Sequence, residues 1–398
     1  MKKVSFRKDR WLLPEGVGEL LPQQTEQLEQ QRRDLVDLFR SWGYELVMPP
    51  LMEYLDSLLV GTGKDLDLQT FKLIDQLTGR LMGVRADMTP QVARIDAHLL
   101  KRAAPTRLCY VGSVLHTRPS GSGRSRVPLQ VGAELYGHGG IESDVEVLCL
   151  MVEMLKSCGL DEVHIDLGHV GIYRSLVQEA GLSGEQEEIL FDVLQRKAKP
   201  ELEANLCEWQ VCERHQRHLI ALIELNGSID VLAVARKKLA GAGDEVKAAL
   251  NNLCEIAHAV SKRIGSVPLY FDLAELRGYR YQTGVVFAAF VPGYGQELAR
   301  GGRYDNIGKA FGRARPATGF SADLKVLARV TQVTPETKGM IYAPFDDDAS
   351  LELVIAELRE RGERVVRALP GQLYTDKEMG CDRNLQQIDG RWEVRNSK

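Results

Sequence analysis

The sequence has no long hydrophobic run, since no stretch approaches the ~20 consecutive apolar residues of a membrane-spanning helix. The basic first residues, MKKVSFRKDR, are not followed by the apolar segment of a secretion signal. Basic charge is not in excess either, because 51 Lys and Arg stand against 55 Asp and Glu. We therefore expect a soluble protein with no membrane partner, and the charge balance argues against tRNA or another nucleic acid as its ligand.

A disulfide framework is also missing, because the seven cysteines are odd in number and irregularly spaced. This pattern predicts reduced thiols and a cytoplasmic location. One group of metal-binding residue types has offsets of five, three and three, which suit a stripe on a helix better than the paired turn ligands of a zinc site. We expect no metal and no other cofactor. The group consists of Cys207, Cys212, His215 and His218.

The length of 398 residues and the 44% hydrophobic content allow two or three domains with a sizeable core. Helical spacing of apolar residues predicts a helix over residues 25–42. Residues 43–53 then predict a strand that is stopped by Pro49 and Pro50. Residues 71–74 and 81–84 predict a hairpin around a Thr-Gly-Arg turn. Dense charge and helical spacing over residues 175–264 predict a helical insertion between strands of the core.

The most informative stretch, residues 110–137, has two alternating segments around a Gly/Ser/Arg-rich turn, which predicts an antiparallel hairpin. Its second arm places Gln130, Gly132 and Glu134 on one face of a strand. A buried Gln and Glu need hydrogen-bond partners, and a small ligand with an ammonium group or an imidazole N–H would supply one. The alternative is that these residues form the polar face of an edge strand.

Upstream of this hairpin, Thr89 and Pro90 predict the N-cap and first position of a helix that continues to Leu100. Asp87 and Thr89 then lie where free backbone N–H groups and short polar side chains face outward together. Helix capping by itself would account for Thr89, so a ligand-binding role stays an alternative at this point.

Two later stretches carry further polar signals. Alternation returns over residues 268–291, where Arg277, Tyr279 and Tyr281 share one side if the strand has begun. The double glycine of the GGRYD segment, residues 301–305, lets a ligand approach the backbone closely. A final core helix follows.

The last residues predict a small α/β module. Strands are expected over residues 340–344 and 364–369, with a helix over residues 349–361 between them. An Asp389-Gly390 pair then predicts the tight turn of a hairpin.

These motifs resemble class II aminoacyl-tRNA synthetases, specifically the histidyl branch, over residues 13–328. The hairpin resembles the second class II motif, GGRYD the third, and residues 25–53 the first, which forms the dimer interface in that family. The resemblance implies an α+β fold, an antiparallel sheet flanked by helices. It also implies a core over residues 1–330 that contains the helical insertion, and a reduced C-terminal α/β module over residues 331–398.

The resemblance also implies a histidine-binding pocket. In these synthetases an acidic residue and a Thr hold the α-amino group of histidine, at the positions of Asp87 and Thr89. The histidine-specific signature, an Arg, a Gly and a later Tyr, matches Arg277, Gly278 and Tyr281, whereas Gln282 stands where the family usually has a second Tyr. The expected pocket residues are Asp87, Thr89, Gln130, Glu134, Arg277 and Tyr281.

The positions that should bind ATP have changed. An ungapped comparison puts His116 at the Arg of the second motif and Arg118 at its acidic position, and Val326 at the Arg of the third motif. Lys325 is one residue earlier, about 100° around the helix. Loss of one such cationic group costs ~10² to 10³ in rate, so we do not expect an adenylate-forming enzyme.

A retained amino-acid pocket without phosphate-binding groups resembles the paralogue that serves as regulatory subunit of ATP phosphoribosyltransferase. This resemblance implies a non-catalytic protein that joins the short catalytic subunit, activates it and confers feedback inhibition by L-histidine in the first step of histidine biosynthesis. It implies a homodimer through the first motif. Two alternatives stay open: a divergent histidyl-tRNA synthetase or amino-acid ligase, and an RNA-binding or amino-acid-sensing paralogue that uses the basic tip at residues 121–126.

Overall fold

The structure, a computed structural model, describes residues 11–60, 64–119, 121, 123–265, 267–276, 278–279, 281–331, 339–371 and 375–397. The chain forms two compact units, Met1–Gln332 and Val333–Lys398. The first contains a large sheet with helices, and the second contains a small sheet with a helix. None of the described helices combines the length and apolar character that crossing a membrane requires.

The first half of the first unit contains the predicted long helix, both predicted hairpins and the helix that follows them. Its elements are α1 (Pro22–Ser41), β1 (Glu45–Leu46), β2 (Met52–Tyr54), α2 (Leu55–Leu58), α3 (Lys64–Gln69), β3 (Phe71–Ile74), β4 (Leu81–Val84), α4 (Thr89–Arg94), a π-helical segment (Ile95–Leu100), β5 (Thr106–Ser113), β6 (Leu129–Tyr136), α5 (Ile141–Ser157) and β7 (His164–His169).

The second half of this unit begins with a series of helices and returns to strands after residue 268. Its elements are α6 (Val170–Ala180), α7 (Gly184–Gln195), α8 (Lys199–Glu208), α9 (Glu213–Glu224), β8 (Asn226–Gly227), α10 (Asp230–Lys238), α11 (Asp244–Ile264), β9 (Leu269–Asp272), β10 (Val285–Phe290), β11 (Ala299–Arg303), a 3-10 turn (Ile307–Phe311), β12 (Ala317–Asp323) and α12 (Leu324–Thr331).

Among the described residues, nine strands form the large sheet in the order β1-β5-β6-β12-β11-β10-β7-β9-β8. The central pairs from β5 to β7 are antiparallel, whereas β1 pairs with β5 and β9 pairs with β7 in parallel. The sheet is therefore mixed, with the predicted antiparallel arrangement at its centre. Its register puts Glu134 of β6 between Leu108 of β5 and Gly319 of β12.

Two sequence predictions about strands hold only in part: the two prolines do stop the first strand, but it does not extend to residue 53, and the strand expected over residues 268–291 is interrupted. Residues 43–53 form two short strands in different sheets, because Pro49 and Pro50 fix φ and lack the N–H that a continuous strand needs. Residues 268–291 form β9 and β10 with a turn between them, in which Gly278 has a φ of +70°. Tyr279 and Tyr281 therefore lie in a loop instead of on one face of a strand.

The core of the first unit is shared by the sheet and the inserted helices. Helix α5 has an almost continuous buried surface, including Leu148 and Met151, and it packs with Ile172 of α6 and Leu253 of α11 in the same apolar cluster. The amphipathic spacing of α11 explains this placement, since its buried residues recur every three or four positions. The inserted helices thus contribute to the core of the synthetase-like unit.

The second unit is a four-stranded sheet in its described part, with the order β14-β13-β15-β16. The strands are β13 (Met340–Ala343), β14 (Arg364–Arg367), β15 (Cys381–Ile388) and β16 (Arg391–Asn396), and α13 (Ala349–Glu360) follows β13. Asp389 and Gly390 both have positive φ, at 48° and 77°, as a two-residue hairpin turn requires. The prediction of this turn and of the α/β module is confirmed.

A buried ion pair connects the GGRYD segment to the start of α5. Arg303 donates to Asp144 Oδ2 from Nε at 3.0 Å and to Ser143 Oγ from Nη2 at 2.9 Å. The same guanidinium donates to the carbonyl oxygens of His138 and Gly140 and to Asp305 Oδ1. Arg303 and Asp144 are both buried, so removal of Arg303 leaves the carboxylate of Asp144 without its cation in the interior.

We expect Arg303→Met to lower the free energy of unfolding by about 3–5 kcal/mol, because Asp144 loses its cation in a buried position. The measurement is urea unfolding at neutral pH. Arg300→Met is the matched control on the same strand, since its side chain is 58% exposed and its nearest carboxylate, Glu297, is 3.7 Å away. A cost for Arg303→Met within about 1 kcal/mol of the control would contradict the expectation.

Candidate functional site

A cavity of about 490 Å³ lies on one face of the large sheet, between the sheet and the loop that precedes β10. Its lining includes five of the six residues expected for a histidine pocket. These five are Asp87, Thr89, Gln130, Glu134 and Tyr281. The sixth, Arg277, lies outside the described residues.

The inner wall of the cavity is built around the carboxylate of Glu134, of which only 1% is exposed. Its Oε1 accepts hydrogen bonds from the hydroxyls of Thr89 at 3.1 Å and Tyr110 at 2.9 Å. Its Oε2 accepts one from the hydroxyl of Tyr304. Three O–H groups from three separate segments therefore point at one buried carboxylate, which has acceptor capacity left on Oε2.

Burial controls the ionisation of this group. Loss of hydration raises the pKa of Glu134 to about 8, against the lowering effect of the hydroxyls of Tyr304 and Tyr110. Burial and the neighbouring carboxylate raise the pKa of both tyrosines well above the ordinary value, so their hydroxyls stay protonated. A cationic or N–H-bearing ligand placed against Glu134 would restore part of the lost hydration and favour the ionised form.

Asp87, Thr89 and Gln130 form a second polar group at the start of α4. Gln130 Nε2 donates to Asp87 Oδ1 at 2.8 Å, and Gln130 Oε1 accepts from the backbone N–H of Met88 at 2.9 Å. Asp87 Oδ1 also accepts from the backbone N–H of Thr89 at 3.0 Å. The predicted N-cap at Thr89 is wrong: the N-cap is Met88, and the Thr89 hydroxyl is used on Glu134 instead.

Two glycines leave the space that Glu134 and its partners occupy. A Cβ at Gly319 would collide with Glu134 Oε2, and a Cβ at Gly132 would lie 2.5 Å from the hydroxyl of Tyr110. Both positions are on central strands, where a side chain would ordinarily be favourable. The missing side chains at Gly319 and Gly132 thus leave room on the sheet for the carboxylate of Glu134 and the ring of Tyr110.

The loop before β10 covers the cavity and contacts the inserted helices. The ring of Tyr281 packs edge-on against the ring of Tyr304, with centroids 6.5 Å apart. Next to it, Tyr279 packs edge-on against Tyr173 of α6 at 5.0 Å, and its hydroxyl donates to Glu187 of α7. Arg174 of α6 lies over the Tyr279 ring at 4.8 Å. Tyr279 therefore connects the cavity wall to the helical insertion.

The expected ATP positions have three different environments. His116 lines the cavity, and its Nε2 lies 2.9 Å from the carbonyl oxygen of Ala86. Arg118 is exposed and does not line the cavity. Val326 is 5% exposed and packs in the core, so the structure does not bring it to the cavity. Lys325 Nζ donates to the carbonyl oxygen of Val127 at 2.7 Å.

Charge in the cavity wall is predominantly negative. Among the described lining residues are two arginines, Arg124 and Arg300, and five acidic residues, of which Glu134 is protonated below about pH 8. Arg124 is paired with Glu297 at 3.2 Å, and it also donates to Gln296 Oε1 at 2.7 Å. The acidic residues are Asp87, Glu134, Glu275, Glu297 and Asp323. This composition favours a cationic or zwitterionic ligand over a polyanion.

Sequence reasoning did not single out Tyr110, Tyr304 or Phe191 as cavity residues, although all three contact the polar network or line the cavity. Tyr304 belongs to the GGRYD segment and could have been inferred from it. No group of three or more acidic, His or Cys residues in the described ranges is arranged to hold a metal ion. His218, from the Cys/His group, is buried with Nε2 at 3.2 Å from the carbonyl oxygen of Ala240.

Comparisons with known proteins agree with this architecture. The family model described as histidyl-tRNA synthetase matches residues 16–327. A solved structure of an ATP phosphoribosyltransferase regulatory subunit/histidyl-tRNA synthetase from Bacillus halodurans superimposes with a TM-score of 0.82 at 28% identity, covering 92% of this chain and 95% of that chain. Histidyl-tRNA synthetase from Nostoc sp. PCC 7120 shares the fold, with a TM-score of 0.76 at 17% identity and 97% of both chains covered. The fold and cavity thus define a class II protein of the histidyl-tRNA synthetase type.

The second unit and two similar curated proteins narrow this class. The family model described as the C-terminal domain of ATP phosphoribosyltransferase subunit HisZ matches residues 338–395. ATP phosphoribosyltransferase regulatory subunits from Thioalkalivibrio sulfidiphilus and Alkalilimnicola ehrlichii are 60% and 58% identical, covering 95% and 98% of this chain and 96% and 98% of theirs. The chain belongs to the family of ATP phosphoribosyltransferase regulatory subunits, which gives it a regulatory role in histidine biosynthesis.

The pH dependence of stability offers a test of the Glu134 environment. The folded, unliganded chain holds a proton on Glu134 up to about pH 8, whereas the unfolded chain releases it near 4.5. Between these values, this group makes the free energy of unfolding fall by about 1.4 kcal/mol per pH unit as the pH rises. Glu134→Gln cannot ionise, so we expect its stability relative to the wild type to increase with pH over that window.

The measurement is urea unfolding at several pH values between about 5 and about 7.5. Glu142→Gln is the control, since Glu142 is an exposed carboxylate on α5, and its profile should follow the wild type. If the difference between Glu134→Gln and the wild type does not change with pH, the carboxylate does not titrate as a buried group.

Proposed function

We propose that this chain is the histidine-sensing subunit of an ATP phosphoribosyltransferase: it joins a short catalytic subunit, activates it and confers feedback inhibition by L-histidine. The single observation that carries the proposal is the cavity around Glu134. It keeps a buried carboxylate with three hydroxyl partners, in a lining that is predominantly acidic. Such a site suits an amino acid with an ammonium group and an imidazole ring.

In the proposed complex, the α-ammonium group of histidine lies near Asp87 and Thr89, and the ring lies toward Glu134 and Tyr281. Asp87 and Gln130 are held in place by their mutual hydrogen bond, so the ligand meets side chains that are already oriented. Arg277, four residues before Tyr281 in the sequence, stays a predicted member of this site. The affinity then depends on charge-assisted hydrogen bonds, each worth about 1.5–3 kcal/mol.

The proposed regulation requires that histidine bind one state of the hetero-oligomer better than another. A coupling free energy of about 1–3 kcal/mol is typical of such systems. It corresponds to a change of about 5–150-fold in the affinity for one ligand when the other is bound. The contacts of Tyr279 with α6 and α7 support this coupling, since the loop that covers the cavity is also held by the insertion.

We propose further that the chain does not form an adenylate itself. Support comes from the acidic cavity wall. It also comes from His116 and Val326, which stand where the resembled synthetases have arginines. A divergent synthetase or ligase is the alternative, and pyrophosphate exchange with ATP in the presence of histidine would favour it. A cytoplasmic location belongs to the same proposal, since the seven cysteines are all free thiols.

A homodimer through the first class II motif is also part of the proposal. Large apolar side chains are exposed along β1, β2 and the β3–β4 hairpin, and Met48 and Leu77 reach 84% and 95% exposure. A contiguous group of exposed apolar side chains commonly marks an interface. The patch comprises Leu46, Met48, Leu51, Met52, Ile74, Leu77 and Leu81.

We expect the isolated wild-type chain to bind L-histidine in a calorimetric titration, and Asp87→Asn to weaken this binding by at least about tenfold, because a charge-assisted hydrogen bond is lost. Asp56→Asn is the matched control on α2, at an exposed carboxylate away from the cavity lining. The control should bind within about twofold of the wild type.

The same variants test regulation in the reconstituted complex. Addition of the wild-type chain should increase phosphoribosyl transfer by the short catalytic subunit, and histidine should inhibit this complex but not the one with Asp87→Asn. Equal binding and equal inhibition in Asp87→Asn and Glu134→Gln would show that histidine binds elsewhere. No stimulation by the wild-type chain would disprove the regulatory role proposed for it.

For the dimer, we expect Met48→Asp to shift the isolated chain from dimer to monomer in light scattering, since a charge at the centre of an apolar contact is left unpaired. Leu353→Asp, at an exposed apolar position of α13, is the control that should leave the mass unchanged. Circular dichroism confirms that both variants are folded. A dimer that persists in Met48→Asp would exclude the first motif as the interface.

A further inference from the structure

One cation of the cavity wall is only weakly engaged by the rest of the described chain. The two arginines among the described lining residues are Arg124 and Arg300. Arg124 donates to Gln296 Oε1 at 2.7 Å and to the carbonyl oxygen of Glu297 at 2.9 Å. The guanidinium of Arg300 lies 3.7 Å from the carboxylate of Glu297, which is too far for a hydrogen bond, and its side chain is 58% exposed. Arg300 is therefore a charge that a ligand can reach.

The strand pattern puts Arg300 on the cavity face of β11. Side chains at even spacing along a strand share a face. Tyr304, four residues further on, points its hydroxyl at Glu134 in the inner wall of the cavity. Arg303, three residues away, points to the opposite side, where it contacts Asp144 of α5. Arg300 and Tyr304 therefore face the ligand space together.

The neighbours of Arg300 on the sheet leave its guanidinium uncovered. Arg300 pairs with Ala288 of β10 on one side and with Ser321 of β12 on the other. The next residue on the same face of β11 is Gly302. All three neighbours are small, so none of them covers the end of a long side chain at position 300. The floor of the cavity around Arg300 is thus open to a ligand group.

The carboxyl-bearing wall of the cavity lies two strands away from Arg300. Ser321, which pairs with Arg300, also pairs with Gly132 of β6. Gly132 stands between Gln130 and Glu134 on the same face of β6. Because neighbouring strands are about 4.8 Å apart, the backbones of β6 and β11 are separated by about 10 Å. The cavity thus has carboxyl groups on one wall and a cation across a floor of small side chains.

We propose that Arg300 binds the α-carboxylate of the amino acid in the cavity. This inference rests on the proposed function, since it takes a zwitterionic amino acid near Asp87 and Thr89 as given. The planar guanidinium can donate two parallel hydrogen bonds to one carboxylate. Arg124 is less suited to this role, because it would have to leave the carboxylate of Glu297, which is 3.2 Å away.

A cation at this position makes the carboxylate a condition for tight binding. The other charged groups that line the described part of the cavity are mainly acidic, so a ligand that carries only an ammonium group would leave Arg300 without a hydrogen-bonded anion. A site built to hydrogen-bond one group rejects analogues that lack it. L-Histidinol is the informative analogue, because a CH2OH group replaces its carboxylate while the ammonium group and the ring are kept.

The test compares the full-length wild-type chain with Arg300→Met, which keeps an unbranched side chain and removes the guanidinium. Calorimetric titrations at neutral pH use L-histidine and L-histidinol. Arg118→Met is the matched control, because Arg118 is exposed, does not line the cavity and undergoes the same chemical change. Urea unfolding of the unliganded proteins is measured in parallel and should give similar stabilities, since neither arginine is buried.

We expect the wild-type chain to bind L-histidine at least about tenfold more tightly than L-histidinol, because a charge-assisted hydrogen bond is gained. Arg300→Met should bind L-histidine about tenfold more weakly than the wild type and L-histidinol within about twofold of it, so that the preference disappears. Arg118→Met should keep both affinities. A purely structural role of Arg300 would weaken the binding of both ligands alike.

A preference for L-histidine that persists in Arg300→Met would overturn the inference, since another cation would then hold the carboxylate. Equal weakening of both ligands, or equal binding of both by the wild-type chain, would overturn it as well. Failure of the proposed function gives a different result, because the wild-type chain then binds no L-histidine. If the wild-type chain binds L-histidine and Asp87→Asn does not, while Arg300→Met keeps the preference, only the role of Arg300 is excluded.

Discussion

The buried carboxylate of Glu134 is the constraint on which the rest of the site depends. An ionised carboxylate without partners in the interior costs many kcal/mol, so it must be hydrogen-bonded or protonated. Here the hydroxyls of Thr89, Tyr110 and Tyr304 bring α4, β5 and the end of β11 together around it. Gly319 supplies the space, since any side chain there would collide with the carboxylate. The packing of these segments and the polarity of the cavity therefore have one common cause.

The sequence predicts the part of this arrangement that depends on local periodicity. Alternation along β6 places Gln130 and Glu134 on one face, and the structure has both in the cavity lining. The donors come from positions 24, 45 and 170 residues away, and no local pattern identifies them. Thr89 shows the difference clearly. Local propensity makes it a helix cap, but the unsatisfied carboxylate of Glu134 competes for the same hydroxyl, and the tertiary contact wins.

The same distinction holds for the fold as a whole. Hairpins with a clear sequence pattern, such as the β3–β4 pair, have the bounds that the sequence indicates. The loop around Tyr279 and Tyr281 does not, because its conformation follows from the positive φ of Gly278 and from contacts with α6 and α7. In the proposed function, these contacts take part in regulation. A ligand that displaces this loop must also disturb the edge-on ring contact and the hydrogen bond of Tyr279. A movement at the cavity is therefore transmitted to the insertion.

The electrostatics of the cavity support the proposal that this chain does not form an adenylate, and this support does not rest on single substitutions. Position 326 faces the apolar core, so an Arg placed there would be a buried, unpaired charge instead of a phosphate ligand. Arg124 does line the cavity, but its guanidinium is held by Glu297 and Gln296, and separating it from Glu297 would leave a partly buried carboxylate without its cation. A triphosphate would also meet Glu275 and Asp323 in the same wall. For position 326 to contribute a phosphate ligand, α12 would have to rotate, and a triphosphate would require neutralisation of several carboxylates together, whereas a zwitterionic amino acid fits the charges that are present.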